Sequence, residues 1–141
     1  MKLKMTGHER TTMRYVSAEE LKRVSDGNSM GYFKSDIDWN DSDDPIVVTI
    51  VNTTYINKTL TGQKKKDVEA HEKKHFDDFK GLAEQMKKEI DAALKAARDP
   101  QMQDRMDWLL YDRCQKSAAF HRQTADYSVE ICFQPSSKRP T

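Results

Sequence analysis

The chain reads as a single α+β domain in which a small, mostly antiparallel sheet covers one face of a long helical hairpin. Three observations predict this. Apolar residues recur at helical spacing from about Gln63 to Arg98. Asp99-Pro100 breaks that pattern, and a second helical stretch follows from about Met102 to Thr124. The β-prone segments lie mainly in the first 56 residues, with one more near the end.

Taken in order, residues 1–10 show no periodicity and are expected to be a flexible tail. Thr11–Val16 is β-prone, and Ser17 followed by Glu20 forms a capping box for a short helix over Ala18–Val24. Gly31–Trp39 is expected to be a second strand. Asn40–Pro45 is a turn by composition; it lacks the glycine and terminal glutamate of a calcium loop. Ile46–Ile56, rich in β-branched residues, is the strongest strand signal. After the two helices, Tyr127–Phe133 alternates polar and apolar residues and reads as a last strand, with 135–141 a polar tail. The predicted order is β-α-β-β-α-α-β.

The first long helix carries His71-Glu72-Lys73-Lys74-His75, an HExxH pattern. Four residues is about one helical turn, so both imidazoles can point at one ion. At about 100° per residue, His71, Glu72 and His75 share a face with Val68, Phe79, Leu82, Met86, Ile90, Ala93 and Ala97. Lys73, Lys74, Asp77, Lys80, Lys88 and Lys95 lie away from it. Histidines of a merely solvated charge run would not share the apolar stripe. The pattern fits Zn2+ held by His71 and His75 with one position open for water, whose proton Glu72 takes as general base.

Two histidines do not complete such a site. The metzincin extension fails, because Asp78 and Gly81 occupy the places of its Gly and His. Glu84 and Glu89 lie too far along the same helix to bend back. In a hairpin broken at Asp99-Pro100, residues equidistant from the break sit side by side. His75 then faces about residue 124 and His71 about residue 128. Asp126 falls between them, and His121 faces about residue 78. Both remain candidates for the third ligand, Asp126 being the better placed. Tyr127 is a candidate hydrogen-bond donor to the oxyanion of a tetrahedral intermediate.

Composition narrows the classes. The 141 residues suffice for one core. The chain is 36% hydrophobic and 33% charged, with formal net charge +1. Basic and acidic residues are interleaved, without the basic stripe or stacking aromatics of a nucleic-acid binder. No apolar run approaches the roughly 20 residues of a membrane span. Met1–Thr6 has no apolar h-region, so a cytoplasmic protein or a mature exported form is expected. Cys114 and Cys132 lack the spacing of zinc ligands; a disulfide and two buried thiols are both open. The Asn52 and Asn57 sequons carry no functional weight.

The chain resembles the bacterial family of predicted secreted zinc-dependent proteases, a domain family of unknown function within the zincin group. The resemblance covers about residues 12–128. Arg14-Tyr15-Val16-Ser17 with Glu20-Leu21 is similar to its Tyr-x-Val-x-Gly…Glu-Leu opening, and Tyr32–Trp39 to its aromatic strand. Ala70–Asp77 matches its active-site helix. Phe120–Tyr127 falls where the family tends to show Tyr-Asp-x-Glu-Thr-x-His-Gly, so its late His falls on Asp126 and its Asp on His121. The resemblance implies a minimal zincin-like fold, Zn2+ on His71 and His75, Glu72 as general base, a peptide or protein substrate and a secreted or periplasmic location. The expected activity is hydrolysis of peptide bonds. The substrate is expected to add as a strand along a sheet edge, the segment 46–56. A zinc-binding domain without activity, and a structural or partner-binding hairpin, are the rival readings.

Overall fold

In a computed structural model of the chain, residues 3–25, 27–40, 45–93, 101–122 and 132–140 are described. The elements are β1 (Leu3–Thr6), β2 (Thr12–Val16), α1 (Ala18–Ser25), β3 (Gly31–Asn40), β4 (Ile46–Asn57), α2 (Gly62–Ala93) and α3 (Met102–Arg122). The α+β class holds. The chain divides into two compact units. One comprises Thr6–Asp38 and Thr49–Asp77, the other Met1–Met5, Trp39–Val48 and Asp78–Thr141.

In the first unit, β2 pairs with β4 in parallel register, Thr12 opposite Thr53 and Val16 opposite Asn57. The sheet is mostly parallel, which corrects the antiparallel expectation. The connection from β2 to β4 runs through α1 and β3, long enough for the crossover that a parallel pair requires. Ser17 starts that helix as the capping pattern demands: its Oγ accepts from the Glu20 backbone N–H at 3.1 Å. The Glu20 carboxylate turns instead to Arg14, 3.5 Å away. Leu21 of α1 is fully buried with Val16 and Tyr55, and Val24 and Tyr32 close the cluster.

The segment between β1 and β2 is held to β4. Gly7 has φ +94°, and a Cβ there would meet the Ile50 carbonyl oxygen at 1.8 Å, so only glycine fits. The buried Asn52 amide donates to the carbonyls of Gly7, His8 and Arg10 and accepts from Ser35 Oγ at 2.7 Å. Asn57 likewise donates to Ser29 O and accepts from Thr59. Both sequon asparagines thus serve as internal struts, buried with their amides engaged.

The second unit contains the apolar half of α2. Phe79, Ala83, Met86 and Ile90 are buried, as are Met102, Met106, Trp108, Leu109 and Ala118 of α3. Arg113 of α3 lies over the Phe79 ring at 5.7 Å, and Arg105 stands 3.8 Å from Glu89. Contacts earlier in α3 fall later in α2, the signature of the expected antiparallel hairpin. Its connection, 94–100, lies outside the described residues. Leu110 of α3 is 39% exposed.

Two expectations about the ends change. Leu3–Thr6 is strand β1, where a flexible tail was expected. Four residues carry too few alternations to show period two, and their partner strand is more than 40 positions away. The last strand was expected over Tyr127–Phe133; 123–131 lie outside the described residues, and Cys132 and Phe133 are not in a strand. The C-terminal stretch is tied to α3. Cys114 and Cys132 form a disulfide, and the Arg139 guanidinium forks onto Asp112 at 2.7 and 2.9 Å over the Trp108 ring. The disulfide points to an oxidising environment.

Candidate metal centre

Helix α2 positions the HExxH residues. The glutamate is buried and both histidines are half-buried, while Lys73 and Lys74 are exposed, as the apolar stripe requires. Lys73 reaches one turn forward to Asp77 at 2.7 Å, a helix-surface pair. The rings of His71 and His75 meet edge to face, their centroids 4.9 Å apart. Their Nε2 atoms are 3.2 Å apart. Two nitrogens each about 2.0–2.1 Å from one tetrahedral zinc would lie roughly 3.3 Å apart, so this pair is spaced to share an ion.

Two imidazoles so placed can share a metal ion. His121, a candidate third ligand, lies in the last turn of α3, in the other unit. Asp126 and Tyr127 lie outside the described residues.

Glu72 is the third element of the motif and the most unusual electrostatically. It is only 5% exposed, and its Oε2 is buried without a hydrogen-bond partner among the described residues. Burial raises its pKa from 4.5 to about 8. An apolar core position would be filled by an apolar side chain at no such cost. A desolvated carboxyl on the same helix turn as two convergent imidazoles fits a site built to receive a cation, whose charge would favour the ionised form.

That burial has a measurable consequence in the metal-free protein. Between pH 4.5 and about 8 the folded chain holds a proton on Glu72 that the unfolded chain has released. The Glu72 contribution to folding stability is therefore greatest at the acid end and declines as pH rises, at up to about 1.4 kcal/mol per pH unit. Urea unfolding in chelator at pH 5.5 and 7.5 should show the decline in the parent protein and a flatter profile in Glu72→Gln. Parallel profiles would contradict it.

The strand beside the motif is β3. Phe33 packs on Phe76 with ring centroids 5.9 Å apart, and Gly31 lies against Val68 and Glu72. Sequence reasoning missed Gly31, which looked like an ordinary strand start. It also placed the sheet edge wrongly. β4 is interior, paired with β1, β2 and β3. The most β-branched strand marks the most enclosed place in a sheet, not its rim. β3 pairs with β4 alone among the described residues.

No family model, no curated protein and no solved structure matches this chain. No helix among the described residues is long and apolar enough to cross a membrane.

Proposed function

We propose that this protein is a zinc-dependent peptidase of the zincin type, acting in a secreted or periplasmic setting. The observation that carries the reading is the pair of His71 and His75 nitrogens, 3.2 Å apart on the helix that buries Glu72. These two imidazoles, with His121 or Asp126 as third ligand, would hold Zn2+. When bound, the ion supplies Lewis acidity, lowering the pKa of a water to roughly 7 and polarising the scissile carbonyl.

The protein's own residues do the rest. Glu72 takes the proton of the attacking water and delivers it to the leaving amine, so the peptide C–N bond breaks as water adds across it. The buried surroundings keep bulk water from competing for that proton. The substrate backbone adds along the outer edge of β3, the strand that packs on α2 at Phe33 and Gly31. Tyr127 remains a candidate donor to the oxyanion. The Cys114–Cys132 disulfide supports the exported setting.

Metal analysis paired with a peptide-library assay tests this. The expected result is one zinc per chain and cleavage that a chelator stops and zinc restores. Stoichiometric zinc without cleavage of any library member would identify a binding domain instead. A chain that takes up no zinc would be a structural hairpin.

A further inference from the structure

We propose that Gly31 is a positioning residue for Glu72, the bare α-carbon against which the glutamate side chain is set. This rests on the reading of Glu72 as the proton acceptor. A Cβ built on Gly31 would lie 2.7 Å from Val68 Cγ1, 3.0 Å from Glu72 Cγ and 3.3 Å from the Tyr55 carbonyl oxygen. The first two atoms belong to α2 and the third to β4, so the missing side chain leaves the space where β3, β4 and α2 meet. The requirement is one of room. The positive-φ glycines are Gly7, Gly27 and Gly62, and Gly31 is not among them. Alanine can adopt the backbone there, and only the neighbours object.

The neighbours differ in what they can give. Tyr55 O is backbone of a paired strand and is fixed. Val68 is stiff at χ1 and sits on a helix. The Glu72 side chain has the most freedom, with three rotatable bonds, so a methyl group at position 31 displaces it most readily. Its carboxylate sits beyond Cγ, where a small rotation near the backbone is magnified. Oε2 has no hydrogen bond among the described residues to hold it in place. Packing against Gly31 is then what fixes the carboxyl's direction. Neither His71 nor His75 is among the three atoms a Cβ would meet first, so the metal-binding pair is not the first to yield.

Gly31→Ala in the full chain separates these roles. Zinc affinity should stay within about twofold of the parent. The kcat for peptide cleavage should fall at least about tenfold with KM within about twofold, because misplacing a reacting group by under an ångström costs about that much. The side-chain carboxyl 13C resonance of Glu72, assigned by its loss in Glu72→Gln, should move in the metal-free protein. If Gly31→Ala does not fold, Gly31→Ala with Val68→Ala removes the closest clash, retains the Glu72 contact and carries the same expectations. An unmoved Glu72 resonance, or a kcat loss matched by zinc loss, overturns the proposal. If the parent protein cleaves nothing, the peptidase reading fails while the resonance still decides whether Gly31 sets Glu72.

Discussion

Glu72→Gln abolishes peptide hydrolysis, lowering kcat by at least about 10²- to 10⁴-fold, while zinc stays bound at one per chain. The substitution keeps the side chain's length and shape, so it still packs against Gly31. It removes only the capacity to take a proton. It also replaces an ionisable group, whose burial raises its pKa to about 8, with one that never ionises. The metal-free variant should therefore be no less stable than the parent at pH 8. Steady-state cleavage of a peptide the parent hydrolyses, with zinc measured on the same sample, checks both halves. Full activity in the variant would remove Glu72 from the mechanism.

Removing a ligand imidazole has the opposite signature. His75→Ala and His121→Ala should each weaken zinc binding by more than the roughly 10- to 100-fold that loss of a ligand's outer partner already costs. The stabilisation that zinc gives the folded chain should shrink with it. His121 is the informative position, because it ends α3 while His71 and His75 sit on α2. Asp126→Ala, compared in parallel, ranks the two candidates for the third ligand. Zinc affinity by competition with a chromophoric chelator reads all three variants. If His121→Ala binds as tightly as the parent and Asp126→Ala does not, the ligand set is His71, His75 and Asp126.

Much of this site was legible in the sequence because helical periodicity is a strong signal. The same 3.6-residue repeat that buries Phe79, Met86 and Ile90 also turns Glu72 inward. The proline break at 100 announced the hairpin, and the Arg105–Glu89 and Arg113–Phe79 contacts bear it out. What the sequence could not show depends on pairing across distance. β1 is too short to display alternation, and its partner is recognised only in three dimensions. The parallel register of β2 on β4 needs the long connection through α1 and β3, which a reading based on neighbouring hairpins passes over. The choice between His121 and Asp126 turns on about one helical turn of register, which periodicity alone does not set. Gly31 carries no side chain to advertise its place, and its meaning lies in what surrounds it.

Anomalous scattering at the zinc edge, on crystals grown with zinc and without chelator, tests the central claim most directly. The account predicts a single strong peak about 2.0–2.1 Å from one nitrogen each of His71 and His75 and from one atom of His121 or Asp126, with the Glu72 carboxylate outside bonding distance. No peak at His71 and His75, or a peak with four protein ligands, would contradict it.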